Sequence, residues 1–208
     1  WRSIFGMFLA HSLLLLALVV FDLKETNYQR KSSLSERLQG YRTLLGMPKY
    51  WGLLMCQAFS IAFFFVFVVG FPALGAEAYG LSATGIGVYL GLMPIGYIFA
   101  NYMVSKYAQS AGLMRMLIIG RICAFASLAP GIVLALAGVT NPIFIFAAMT
   151  FAGAANGFTM APSSAEAASI NTKLTGAAVG LISAAGILMG AIGSNIAVWL
   201  MALAPSAV

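Results

Sequence analysis

Six apolar runs, each about twenty residues or longer, follow one another along this chain and leave little sequence between them. A helix needs roughly 20 apolar residues to cross about 30 Å of hydrocarbon at 1.5 Å per residue. A barrel strand would instead show about ten residues of alternating polarity, and these runs have no period of two. We therefore predict six membrane-spanning helices, over residues 3–21, 50–72, 84–104, 113–137, 142–168 and 174–203.

The charge content supports a membrane location. Charged residues make up 8% of the 208 residues and hydrophobic residues 62%, whereas roughly a quarter of a soluble domain is charged. A formal net charge of +6 would suggest nucleic-acid binding in a soluble chain. Here Lys and Arg stand between apolar runs, where they set the orientation in the membrane. We expect a lipid bilayer and no nucleic acid among the partners.

The longest polar stretch, residues 22–49, is rich in Lys and Arg and is therefore predicted to be cytoplasmic. Alternation of the spans then places residues 73–83 and 138–141 outside, where the sequence has Glu77 but no Lys or Arg. Within the polar stretch, apolar side chains recur at intervals of four, three and four residues. This spacing predicts an amphipathic helix on the inner membrane face, with an apolar stripe of Leu34, Leu38, Tyr41 and Leu45.

Gly, Ala and Ser dominate residues 151–195. Small residues allow two helices to approach closely in a bilayer, so we predict that the two helices of this stretch pack on each other. A Gly and a Pro at bilayer depth must face protein or water rather than lipid. The positions with a predicted structural role, including the proline that closes the second span, are Pro72, Gly157, Pro162, Gly176, Gly180, Gly186 and Gly190.

Four side chains are candidates for a substrate cavity. Gln57 shares a helix face with Phe64, and an amide beside aromatic rings suits an amphiphilic molecule, since rings supply area and the amide supplies orientation. Gln57 could equally bond a neighbouring helix. Asn156 lies near the middle of its span, so it must face either the cavity or the glycine-rich helix. Met160 lies one turn further along.

Two charged residues have open roles. Arg121, about two turns into its span, could extend to the inner membrane face, form an ion pair or take part in transport. Glu166 could bind substrate or protons, or be a helix-end charge beside Lys173. Cys56 and Cys123 lie in separate apolar runs and have neither CxxC nor metal-ligand spacing, so we predict that they are packing residues. Because the sequence has no Ser/His/Asp set, metal-ligand cluster or paired intramembrane carboxylates, we predict no enzyme activity, catalytic residue, metal or cofactor.

Short motifs at helix ends point to a family. Residues 1–5 read WRSIF at the start of the first span, and residues 24–26 read KET after its end. Residues 59–64 read FSIAFF, with FP at 71–72, and TGAA at 175–178 follows a set of Gly153, Asn156, Gly157 and Pro162. With these motifs the chain resembles the major facilitator superfamily, and within it the Bcr/CflA type of drug:proton antiporter. It departs from that type at Lys24, where the family has Pro, and at Glu166, where a small residue is usual.

The resemblance implies an all-α membrane protein, a polytopic helical bundle with a partial major facilitator fold of about six transmembrane helices. It implies that residues 1–21 are the last transmembrane helix of the N-terminal half and residues 22–49 the cytoplasmic central loop. Residues 50–208 would then be five of the six helices of the C-terminal half, and we expect the sequence to be a fragment. Two such halves rock about a site near the membrane midplane.

The function implied by the resemblance is secondary active transport by alternating access. The protein would export amphiphilic drugs or small molecules in exchange for protons, across the bacterial cytoplasmic membrane and as a monomer when full length. The acidic groups for proton coupling would lie mainly in the N-terminal half. The alternative is a metabolite or sugar-type transporter of another subfamily, which would need a more polar cavity than Gln57, Phe64, Asn156 and Met160 offer.

Overall fold

The structure, a computed structural model, describes residues 2–22, 34–77, 79–137 and 142–203. These residues form helices and contain no strand, in agreement with the predicted all-α fold. The motif at residues 24–26 and the outer connection at 138–141 lie outside the described residues. The helices are α1 (Arg2–Asp22), α2 (Leu34–Leu45), α3 (Pro48–Glu77), α4 (Ala83–Ala111), α5 (Leu113–Leu136), α6 (Pro142–Ile170) and α7 (Thr175–Leu203), with a 3-10 turn at Thr172–Leu174 before α7.

Five of the long helices, α1, α3, α4, α5 and α7, have the length and hydropathy of membrane spans in the part of the chain that the structure describes. The sixth predicted span, α6, is 29 residues long, and the side chains of several apolar residues in its first turns lie outside the described part of the structure. It carries buried polar side chains, Asn156, Thr159 and Ser163. A helix whose polar side chains are bonded to neighbouring helices can still lie within a bilayer.

The chain forms two compact units, Trp1–Arg37 and Leu38–Val208. The division falls within the predicted central loop. The first unit contains α1, which is 21 residues long and has no buried residue. The second contains α3 to α7 and most of α2, and all the packing described below belongs to it.

Helix α7 packs chiefly against α3. A Cβ added at Gly190 would lie 2.7 Å from Cδ2 of Phe65, and one at Gly193 would lie 3.1 Å from the Ala62 carbonyl oxygen, both on α3. Gly186 fits in the same way against Ile61. Gly176 and Gly180 have open space around them instead.

Helix α6 packs chiefly against α4 and α5. A Cβ at Gly157 would lie 2.7 Å from the Tyr97 carbonyl oxygen of α4, and Gly96 of α4 lies against the Thr150 carbonyl of α6. Helices α6 and α7 do contact each other, as predicted, but each has a larger interface with another helix. The small residues of each helix do permit close approach, but they face α4 and α3 respectively.

The α2 helix lies where the sequence predicted a helix. The side of the helix that is buried, however, is not the predicted apolar stripe. Leu44 is fully buried and packs in a core cluster with Leu53, whereas Leu38, Tyr41 and Leu45 are exposed. The Leu34 side chain lies outside the described residues. The buried side is set by Leu44 together with Gly40, where an added Cβ would lie 2.8 Å from Cδ2 of Leu174.

Two prolines with predicted structural roles lie inside helices. Pro72 does not end its helix, because α3 continues to Glu77. Pro162 lies within α6 and is fully buried, so the backbone group it leaves without a partner is shielded from lipid by neighbouring helices. At the other end of α3, the Tyr50 hydroxyl donates a 2.8 Å hydrogen bond to the Ala178 carbonyl and joins α3 to α7.

Candidate substrate-binding site

A cavity of about 370 Å³ lies between α3, α4, α6 and α7. Its volume is within the range of roughly 300–1,000 Å³ typical of small-molecule sites. The wall is mostly apolar and aromatic, and its polar side chains are the Asn156 amide and the Tyr97 phenol. The lining residues are Ile61, Phe64, Phe65, Pro94, Tyr97, Gly153, Asn156, Met160 and Ile187.

Three of the four predicted site residues meet at this cavity. Phe64 of α3 and the pair Asn156 and Met160 of α6 line it, although they are about ninety residues apart in sequence. Gln57 does not line it and is 2% exposed. Substrate binding by these four residues stays a prediction. Gln57 is the least accessible of them to a ligand, because it is buried away from the cavity.

Asn156 is held by a chain of hydrogen bonds that begins at Arg121. The Nη2 atom of Arg121 on α5 donates to the Ser60 hydroxyl of α3 at 3.2 Å, and that hydroxyl donates to Oδ1 of Asn156 at 3.0 Å. Nη2 also donates to the Thr159 hydroxyl, which in turn donates to the Ala155 carbonyl at 2.7 Å. The guanidinium therefore joins three helices behind the cavity wall.

Arg121 thus points inward, which excludes both extension to the membrane face and an ion pair within the described part of the chain. Its partners Ser60 and Thr159 are 2% and 0% exposed. No carboxylate of the described residues lies within 4.0 Å of it. Its Nε atom is buried and has no hydrogen-bond partner there. The positive charge of Arg121, which has no counter-ion among the described residues, therefore lies beside the polar end of the cavity.

Gln57 belongs to a second polar cluster at the same α3–α6 interface. Its Oε1 accepts hydrogen bonds from the Ser163 hydroxyl at 2.7 Å and the Ser164 hydroxyl at 3.0 Å. Because buried polar groups need such partners, this arrangement favours the interpretation in which Gln57 joins neighbouring helices.

Glu166 pairs with Lys49 and not with Lys173, the partner suggested by sequence proximity. Lys49 Nζ lies 2.6 Å from Glu166 Oε1, and the pair joins the start of α3 to the C-terminal part of α6. The Lys49 side chain is 56% exposed, so the pair contributes little to stability. Glu166 does not line the cavity.

Sequence reasoning missed Tyr97, Pro94 and Ile187 in the cavity wall and Thr159 in the polar chain. The Met93-Pro94 pair with Gly96 was a visible signal of an irregular helix. Thr159, three residues after Asn156, lies on the same helical face. Nothing in the sequence links Arg121 to Ser60, which is 61 residues away.

Comparison with known proteins identifies the class. The family model of the Major Facilitator Superfamily matches residues 1–194, and the chain belongs to this superfamily. Its members are secondary transporters of small molecules, and the chain is part of an integral membrane protein. No curated protein and no solved structure matches the chain.

Proposed function

We propose that this chain belongs to an exporter of amphiphilic small molecules or drugs in the bacterial cytoplasmic membrane, and that the cavity is part of its substrate pathway. The observation that carries the proposal is the wall of the cavity, in which Phe64, Phe65 and Met160 surround a single amide, Asn156. Aromatic rings and a polarisable thioether accommodate varied apolar bodies. The amide fixes the polar end of the molecule.

The alternative is a transporter of sugars or similar metabolites. A site for a polyhydroxylated molecule needs several hydrogen-bonding side chains, because each buried hydroxyl left without a partner weakens binding. Asn156 and Tyr97 are the polar side chains in this wall. The amphiphile is therefore favoured.

Exchange for protons is supported by the resemblance to drug:proton antiporters. The side chains that line the cavity include no Asp, Glu or His. This part of the chain would accordingly supply substrate contacts, while proton coupling would use the acidic groups that the resemblance assigns to the N-terminal half. The pH gradient, and not nucleotide hydrolysis, is expected to drive export.

The proposal is tested with Phe64→Ala in the whole transporter, measured as efflux of a panel of amphiphiles. Loss of ring area should weaken export of the bulkier compounds severalfold and change the order of preference. Phe59→Ala is the matched control, since Phe59 is on the same helix, is 56% exposed and does not line the cavity. An identical export profile for both variants and wild type would reject the cavity as the substrate site.

A further inference from the structure

We propose that the cavity selects amphiphiles whose polar end is a negatively charged oxygen group such as a carboxylate. The contacting donor is Nδ2 of Asn156, and Arg121 is the positioning residue that orients this amide and supplies the positive charge behind it. The inference rests on the proposed function, because it assigns a substrate class to the same cavity.

The direction of the hydrogen bonds fixes the orientation of Asn156. A hydroxyl has one proton to donate, and Ser60 accepts from the Arg121 guanidinium, which can only donate. The Ser60 proton is therefore free for Oδ1 of Asn156, as observed at 3.0 Å. Nδ2 then becomes the free end of the amide. It forms no hydrogen bond within the described residues and is not sealed off, although Asn156 as a whole is 6% exposed.

The positive charge of Arg121 and the orientation of the Asn156 amide both favour an anionic oxygen at this end of the cavity. A guanidinium is always protonated in proteins, and among the described residues no carboxylate neutralises it. Hydrogen-bond chains polarise one another in a low-dielectric setting, so the Arg121–Ser60–Asn156 chain makes Nδ2 a stronger donor. An anionic oxygen is attracted by both groups, and an ammonium is repelled by the charge and finds no acceptor at Nδ2.

The Thr159 hydroxyl is oriented by Arg121 in the same way as the Ser60 hydroxyl. Thr159 also accepts from Nη2 and directs its own proton to the Ala155 carbonyl. Both hydroxyls beside the guanidinium thus point their protons away from it. A ligand at this end of the cavity meets a donor and a positive field.

The test compares three probes with one apolar body: 2-naphthylacetate, 2-naphthylacetamide and 2-(2-naphthyl)ethylamine. Binding to the whole transporter in nanodiscs is measured by equilibrium dialysis against empty nanodiscs. We expect the carboxylate to bind at least tenfold more tightly than the amine, with the amide between them. Arg121→Gln should reduce the preference to less than threefold, with the affinity for the amide within threefold of wild type. Arg115→Gln is the matched control, an exposed Arg on the same helix, and should keep the full preference.

Each outcome decides a specific point. If the amine binds as tightly as the carboxylate, or if Arg121→Gln keeps the preference, the charge assignment is wrong while the cavity can still be the substrate site. If no probe binds above empty nanodiscs, both the inference and the proposed amphiphile site fail. If Arg121→Gln is not monodisperse, Ser60→Ala replaces it. That variant keeps the charge but releases Oδ1 of Asn156 from the Ser60 hydroxyl, so the preference should fall at least twofold. An unchanged preference in it would overturn the assignment of Nδ2 as the oriented, contacting donor.

Discussion

Arg121 can reach α3 because the residue before it is glycine. A Cβ at Gly120 would lie 2.7 Å from the Thr159 hydroxyl and 3.1 Å from the Ala155 carbonyl, so only Gly lets α5 approach α6 this closely. Burying a charge is unfavourable unless it is bonded. The hydroxyls of Ser60 and Thr159 supply that bonding. The Gly120-Arg121 pair is visible in the sequence, but the sequence is also compatible with an Arg121 side chain that extends towards the inner membrane face.

Gln57→Leu is predicted to lower stability and leave substrate preference unchanged. The change removes the acceptor of the Ser163 and Ser164 hydroxyls, which are buried or partly buried. The single proton of Ser163 can instead be donated to the Thr159 carbonyl, which lies 2.6 Å away, so Ser164 is the hydroxyl that loses its acceptor. A lost buried partner costs about 1–3 kcal/mol, and the thermal midpoint of the detergent-solubilised transporter should fall by a few degrees.

The matched control for this prediction is Gln39→Leu, an exposed position on α2 whose side chain is free to face solvent or lipid headgroups. It should melt at the wild-type temperature. An altered export profile in Gln57→Leu without loss of thermal stability would show that Gln57 binds substrate, as the sequence alone allowed.

At the scale of helices, the crossing of α4 and α6 depends on Gly96. A Cβ there would collide with the backbone of α6 at the Thr150 carbonyl and would lie 2.9 Å from the Ala154 nitrogen, and backbone atoms cannot move aside as a flexible side chain can. We predict that Gly96→Ala separates the two helices, with a cost of about 1–3 kcal/mol by analogy with overpacked cores. The measurement is monodisperse yield and thermal midpoint of the whole transporter.

Gly91→Ala is the control for this change. Gly91 is on the same helix, and a Cβ there has no neighbour within 4 Å. Ala also favours helix over Gly by up to about 1 kcal/mol, so this variant should be neutral or slightly stabilised. Equal yields and midpoints for Gly96→Ala and Gly91→Ala would contradict the close crossing.

Helix positions could be predicted from the sequence, and helix partners could not. The apolar runs located the starts of α3 to α7 to within about two residues, because a span of lipid imposes a length on each run. The ends of α3 and α4 were placed too early, since these helices continue to Glu77 and Ala111 and not to residues 72 and 104. The glycines of α7 indicated close packing but carried no information on which helix they face. Ile61 and Phe65 of α3 fill the space beside Gly186 and Gly190, and α6 uses Gly157 against α4. Small-residue patterns occur on several helices of this chain, so pairing depends on side-chain fit in three dimensions.

The cavity residues were only partly predictable, because the sequence shows residue types but not contacts between helices. Phe64, Asn156 and Met160 stood out as an aromatic, an amide and a thioether at span depth, and they do line one cavity. Gln57 has the same sequence signal as Asn156, an amide within an apolar run. The difference is that Gln57 faces Ser163 on α6, while Asn156 keeps its Nδ2 free. Only contacts between helices can separate these two cases.

For the whole molecule, alternation of basic residues predicts that α2 is cytoplasmic and the end of α3 is outside. In a background with Cys56→Ala and Cys123→Ala, a cysteine at Gln39 should react with a membrane-impermeant maleimide from the cytoplasm, and one at Glu77 from outside. Both positions are exposed. Labelling of both from one side would contradict the odd number of crossings between them.

We propose that the cavity beside Asn156 holds the substrate of a proton-driven exporter. Asn156→Leu removes the donor at the polar end, and Asn195→Leu is the control, an exposed asparagine on α7 bonded to its own helix at the Ala191 carbonyl. The decisive measurement is uphill transport of an amphiphile panel by the whole transporter in proteoliposomes with an imposed pH gradient. We predict that wild type and Asn195→Leu share one substrate profile, and that Asn156→Leu loses the compounds with an anionic or carbonyl oxygen. A profile in Asn156→Leu identical to wild type, at equal protein incorporation, would show that this cavity is not the substrate site.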